Sequence, residues 1–262
     1  MNELTWTPFY SLFQREIARF MKVVAQTVVT PFVSATLYLM IFGVSLGERI
    51  VLKDQLPYIA FLIPGLVMMG CLNNAFQNTS SSIIAAKFSG DLEDLKVSPL
   101  SSTQIILALS MAALIRGILV GAVTFLAGEG AYWWMHGEPL GIQHPLALAV
   151  FLFVGCLSFA SFGIIVAFWA KTFDQLSAIT GFVLMPLIYL GGVFFSVEHL
   201  PPFWRSISMC NPLLYMINGV RYGILGQSDV EPGIALAIST AACMLTLALA
   251  VRSLRRGSFM RW

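Results

Sequence analysis

Asn73, Gln77 and Ser81 recur every four residues in an otherwise apolar run, with Asn74 and Asn78 beside them. At that spacing the first three share one face of a helix. An amide or hydroxyl in hydrocarbon must find a partner. Two arrangements would satisfy these side chains: hydrogen bonds between packed helices, worth about 1 kcal/mol or less per pair, or the lining of a polar pathway. Arg116 is the second chemical signal. An arginine at membrane depth is by default a functional group, whereas near a helix end it extends its guanidinium to the headgroups. No acidic residue of the apolar runs is available to pair with Arg116, which favours a place near the inner interface.

Catalytic chemistry finds little support. His136, His144 and His199 stand at no metal-ligand spacing with another His or Cys. Glu198 with His199, and Asp229 with Glu231, come nearest to the acid–base set that an integral-membrane transferase needs; solvated loops explain them more simply. No serine sits in a G-x-S-x-G elbow. No glycine precedes any of the five lysines, so the chain has no P-loop for ATP. Acidic residues are few at mid-membrane depth, where ion-coupled carriers commonly place their relays. A transporter of this composition takes its energy from a partner.

The elements that hold these groups follow from composition. The chain is 58% hydrophobic and 11% charged, against about 25% charged for a soluble domain. Its apolar residues fall in long runs, predicting an all-α polytopic membrane protein. A net charge of +2 implies no nucleic-acid partner. Cys71, Cys156 and Cys243 lie in apolar runs and Cys210 outside them, at no disulfide or metal spacing. Six spans are expected at residues 23–46, 57–86, 103–134, 145–170, 176–195 and 233–251. Before them, residues 4–22 put Phe9, Leu12, Phe13, Ile17 and Phe20 on one stripe and Arg15, Arg19 and Lys22 opposite, as in an interfacial amphipathic helix.

Two connections are unusual. In residues 87–102, Gly90 ends one helix, and Asp91, Glu93 and Asp94 open a short new one where the helix dipole favours carboxylates. Leu92 and Leu95 form its apolar edge, Lys96 follows, Pro99 stops it, and Ser101, Ser102 or Thr103 caps the next span. This is a docking surface for a soluble partner or an ordinary loop. Residues 186–226 are broken by Pro186, Gly191–Gly192, Pro201–Pro202 and Asn211–Pro212. Irregular backbone at membrane depth is tolerated only where protein or a water-filled cavity covers it, so residues 196–226 read as an outer lip of short re-entrant helices. Phe194, Phe195, Phe203, Trp204 and Tyr215 would stack on sugar rings or anchor the lip at the interface.

Basic residues set the expected topology. Arg15, Arg19, Lys22, Lys87, Lys96, Lys171, Arg252, Arg255, Arg256 and Arg261 fall on one side, and Arg49, Lys53, Arg205 and Arg221 on the other. The positive-inside rule then places both termini in the cytoplasm.

Three stretches resemble the membrane subunits of ABC-2 type exporters, and most closely a YadH-like bacterial inner-membrane branch. They are FLIPGLVMMG at 61–70, AAKFSGDLEDLKVSPLS at 85–101, and PLIYLGGVFFSVEHLPPFW with NPLLYMINGVRYGILG across 186–226. The resemblance covers nearly the whole chain. It implies a permease without its own ATP site, in a complex of two membrane subunits and two ATP-binding subunits that carry ATP and Mg. The loop at 90–99, with Asp91, Leu92, Glu93, Asp94, Leu95, Lys96 and Pro99, resembles the coupling helix that enters a groove on the ATPase; Arg15 and Arg19 would touch the same partner. The region after span 5 resembles the extracellular helices that cap the exit. On this reading Asn73, Gln77, Asn78, Ser81, Arg116, Pro186, Phe194, Phe195, Pro201, Trp204, Asn211, Pro212, Tyr215 and Arg221 are candidates for the path and its exit. Substrates of the family include polysaccharides, lipid-linked glycans, lipids and drugs. An integral-membrane transferase or an ion-coupled carrier is the alternative.

Overall fold

The structure is a computed structural model describing residues 6–44 and 56–256. Residues 4–5 and 45–46, with Arg49, Lys53 and Arg261, lie outside the described residues, as do the side chains of Glu93, Asp94 and Lys96. Among the described residues the chain is helical, without strands. The helices are α1 (Trp6–Met21), α2 (Val24–Tyr38), α3 (Tyr58–Ser89), α4 (Asp91–Val97), α5 (Ser102–His136) and α6 (Pro145–Trp169). They continue as α7 (Phe173–Ile179), α8 (Met185–Leu190), α9 (Pro202–Met209), α10 (Pro212–Leu225) and α11 (Pro232–Arg256). Six segments are long and apolar enough to cross a membrane: Val24–Gly43, α3, α5, α6, Phe173–Leu190 and α11. The protein is thus an all-α polytopic membrane protein.

α3 is the axis of the bundle. It packs against α5, α6 and α10, and its apolar window is 89% buried, against 17% for both Val24–Gly43 and Phe173–Leu190. A helix apolar all round belongs in a core, and α3 meets that condition except at its amide-rich middle. α1 lies against α5 with Leu12, Glu16 and Phe20 turned inward and Trp6, Tyr10 and Met21 exposed.

The two least buried spans each contain a π-helical stretch, Leu39–Val44 after α2 and Thr180–Leu184 after α7. The second has a local cause. Pro186 lacks an N–H, and its ring crowds the carbonyl four residues earlier, that of Phe182. The chain widens instead, and the Met185 N–H bonds the Thr180 carbonyl. Such a turn is one way a helix absorbs a break. Hydropathy extends this span to Phe195, but the helix stops at Leu190, and Gly192 follows with φ of 83°. The resulting turn lies directly on α3. A Cβ on Gly65 would stand 2.7 Å from the Val193 carbonyl oxygen, so this approach requires glycine.

The lip is built of unequal parts. α9 has eight residues and exposes Phe203 and Trp204. α10 has fourteen residues, short of the ~20 needed to span, and is packed among α3, α6 and α11. At the other end of the bundle Gly90, with φ of 84°, ends α3 and α4 follows. Of the three candidate caps, Ser101 serves: its Oγ accepts from the Gln104 N–H at 3.2 Å, and the Ser101 N–H donates back to Gln104 Oε1 at 2.9 Å. Lys87 Nζ donates to the Ala167, Phe168 and Ala170 carbonyls at 2.7, 2.9 and 3.0 Å, sealing the C-terminal end of α6, where a cation is favoured.

Candidate functional site

A cleft of about 390 Å³ opens between α2, α3 and α5. α3 contributes Asn73, Asn74 and Gln77, α2 contributes Gln26, Thr27, Thr30 and Ser34, and α5 contributes Arg116 and Thr124. The polar face read from the sequence therefore divides. Asn73, Asn74 and Gln77 line the cleft, whereas Asn78 and Ser81 turn to α1. Of the neighbouring hydroxyls, Thr79 Oγ1 ties α3 to α6, donating to the Ala160 carbonyl at 2.7 Å, whereas Ser80 Oγ bonds back within α3 to the Phe76 carbonyl at 2.7 Å. Within ten residues of one helix, polar side chains thus both line a cleft and bond neighbouring helices.

Asn78 is the junction. Arg19 of α1 donates to its backbone carbonyl at 2.7 Å and its Oδ1 at 3.2 Å, and to Ser81 Oγ at 3.3 Å. Arg116 of α5 donates to the same Oδ1 at 3.4 Å. Glu16, buried, accepts from Arg19 Nε at 3.1 Å and from Ser82 Oγ at 2.8 Å. Arg19 thus faces inward, contrary to its expected place on the polar side of an amphipathic helix. Arg15, 3.6 Å from Glu16, and Lys22 stay exposed as expected. Sequence reasoning missed Glu16, although the signal was present: Leu12, Glu16 and Phe20 stand four apart, so the carboxylate lies on the buried stripe. Arg116 finds an amide where a carboxylate was sought.

At the opposite end, rings close around Phe194. Its centroid is 5.6 Å from Tyr38, 5.0 Å from Phe42 and 5.6 Å from Tyr189, and its carbonyl accepts from Tyr58 Oη at 2.7 Å. Tyr38 also lines the cleft. The other lip residues differ in kind. Arg221 is fully buried: it donates to the Gly192 carbonyl at 2.8 Å and Asn218 Oδ1 at 3.2 Å, and stands 3.7 Å from Asp229 and 3.8 Å from the Phe61 ring centre. Burial draws its guanidinium down to about 10, against the raising effect of Asp229, so it remains charged at neutral pH. Asn211 caps α10 through the Leu213 N–H at 3.1 Å and donates to the Leu187 carbonyl at 2.7 Å. Tyr215 Oη donates to the Met209 carbonyl at 2.8 Å. Pro201, Trp204 and Pro212 are exposed, Phe195 is half-buried, and Pro186 is exposed outside the cleft.

A second cavity, of about 440 Å³, is lined by Glu198, His199, Asp229 and Glu231 together with Arg221. These are the residues that a membrane transferase would have used. Asp229 is engaged structurally, accepting from the Val197 N–H at 3.3 Å and pairing with Arg221.

The model of the ABC-2 type transporter family matches residues 7–225. The chain belongs to this family. It is 39% identical over 230 residues, 88% of each chain, to the "Inner membrane transport permease YadH" of Escherichia coli (strain K12). It is 26% identical over 220 residues to "Nodulation protein J" of Rhizobium leguminosarum bv. viciae, covering 83% of this chain and 82% of that one. The protein is therefore the membrane permease subunit of an ABC transporter, a multi-pass inner-membrane protein whose ATPase is carried by a partner subunit. In this ABC-2 permease the polar cleft, the Asn78 junction and the rings around Phe194 are stacked along α2 and α3, from the α1 end to the lip.

Proposed function

We propose that this permease exports its substrate outward through the α2–α3–α5 cleft, as a pair of copies driven by two ATP-binding subunits that hold ATP and Mg. The observation that carries the reading is a cleft lined by amides, hydroxyls and one arginine inside an otherwise apolar bundle. Both termini face the cytoplasm on this reading, and α4 is the coupling helix. A cavity of about 400 Å³ beside it, lined by Arg15, Lys22, Ser89 and Asp91, suits a partner surface. Leu92 is buried and Leu95 half-buried, so the apolar edge of α4 holds it to the bundle while Pro99 ends the loop exposed. Arg19 ties the helix nearest the partner to Asn78 and hence to Arg116. Phe194 and its ring neighbours close the cleft towards the lip, and α9 shields the exit. The substrate is an amphipathic molecule, a glycan-bearing lipid or a drug-like compound.

ATP is the ligand that biases the inward and outward states, because only a ligand with different affinity for two states shifts them. The test is transport in inverted vesicles holding the permease and its co-purified ATPase. ATP-dependent accumulation is expected, lost on deleting residues 91–98 with both subunits still assembled. Movement of substrate down its gradient through the purified permease alone would overturn the reading.

A further inference from the structure

The cleft holds polar atoms with nothing to bond. Thr27 Oγ1, Asn73 Oδ1 and Arg116 Nε are buried without a hydrogen-bond partner among the described residues, and all three residues line this one cavity. Thr27 is 3% and Asn73 8% exposed. Buried polar groups are normally satisfied, and an orphan needs a reason. The charge pattern is equally one-sided. Arg116 is the only charged residue among those lining the cleft, which include no Asp or Glu. The nearby carboxylate, Glu16, is already engaged by Arg19 and Ser82. Leu66, Met69, Met185 and Pro31 supply apolar wall beside the polar groups.

Resting on the export reading above, we infer that the cleft receives an anionic, hydroxyl-bearing headgroup carried on an apolar chain. The guanidinium of Arg116 meets the anion with a charge-assisted hydrogen bond. Thr27 Oγ1 and Asn73 Oδ1 accept from headgroup hydroxyls, which a bare phosphate or a quaternary amine does not offer. The apolar wall takes the first part of the chain. A cationic amphiphile is excluded by Arg116, with Arg19 close behind it on Asn78. A neutral sugar would leave the guanidinium without a counter-charge.

The test uses the permease–ATPase complex in phosphatidylcholine nanodiscs, with Cys210→Ser removing the exposed thiol and Ser34→Cys placing one in the cleft. Maleimide labelling of the new thiol is measured against dihexanoylphosphatidylglycerol, dihexanoylphosphatidylcholine and free glycerol phosphate. Phosphatidylglycerol should protect at a concentration about tenfold lower than phosphatidylcholine: both carry the phosphate, but choline's fixed cation meets Arg116 with like charge and leaves the lipid no net charge. Arg116→Gln should abolish that ratio and Arg116→Lys keep most of it. Thr27→Val, which leaves the charge in place, should weaken phosphatidylglycerol severalfold and phosphatidylcholine hardly at all. Equal protection by the two lipids, or a preference surviving Arg116→Gln, overturns the headgroup assignment but leaves the cleft as the path. Equal protection by glycerol phosphate overturns its chain-bearing half. If no probe protects while ATP-driven transport persists, the cleft is not the path and the export reading through it falls as well.

Discussion

Arg221→Met separates a brace from a gate. The guanidinium is fully buried and holds the Gly192 carbonyl at 2.8 Å, Asn218 at 3.2 Å and Asp229 at 3.7 Å, over the Phe61 ring. Methionine nearly fills the volume and removes every polar contact. The Asp229 pair is long, at 3.7 Å, so it contributes less than the shorter contacts. The two hydrogen bonds from a charged donor carry more, about 1.5–3 kcal/mol each. Part of the loss is offset because a buried guanidinium no longer has to be desolvated. A net loss of about 3 kcal/mol follows, or on the order of 10 °C in Tm for a chain of this size. Thermal unfolding in detergent measures it, with exposed Arg205→Met as the control at near zero. Asp229→Asn added to Arg221→Met should cost less than it does alone, because the carboxylate has already lost its partner. A Tm drop below about 2 °C, with transport abolished, would refute the brace and make Arg221 part of the exit itself.

Arg19→Gln should leave the ATPase bound and turning over but cut transport at least tenfold, because it unties α1 from Asn78; parallel loss of complex assembly would argue for a packing role alone. Glu93→Arg on α4, the proposed coupling helix, should abolish substrate-stimulated ATPase activity while membrane insertion is normal, and unchanged stimulation would remove α4 from the interface. Gly163→Ala places a Cβ 2.5 Å from the Phe76 carbonyl oxygen and from Thr79 Oγ1 at the α3–α6 crossing; a cost of about 1–3 kcal/mol is expected. Gly181→Ala, where a Cβ meets nothing, should be neutral or stabilise by up to about 1 kcal/mol; the same thermal scan checks both.

The legible features were those that hydropathy and punctuation encode locally. Long apolar runs announced the six spans, Gly90 and Pro99 bounded the short helix between α3 and α5, and the Gly191–Gly192 pair marked the break before the lip. What stayed hidden depends on partners distant in the chain. Arg19 and Asn78 are 59 residues apart and Lys87 and Ala170 83 apart, and no local pattern says which face of α1 or which end of α6 these cations will meet. The polar middle of α3 was visible as a whole, but its split into cleft and packing halves follows from where α2, α5 and α6 come to rest. Pro64 sits inside α3, which runs unbroken through it. The widening near Pro186 shows the other outcome, and sequence alone does not choose between them.

The unequal burial of the spans has a thermodynamic consequence. α3 cannot shift without re-exposing side chains packed on every side, and each gap left behind would cost cavity energy. Val24–Gly43 and Phe173–Leu190 are only 17% buried in their apolar windows. Where lipid covers them, sliding these two spans trades one hydrocarbon neighbour for another at little net cost. On the proposed reading, work delivered through α4 moves first the spans that resist least. On that reading the outer staves swing, while the amide face of α3 stays fixed as the surface against which they move.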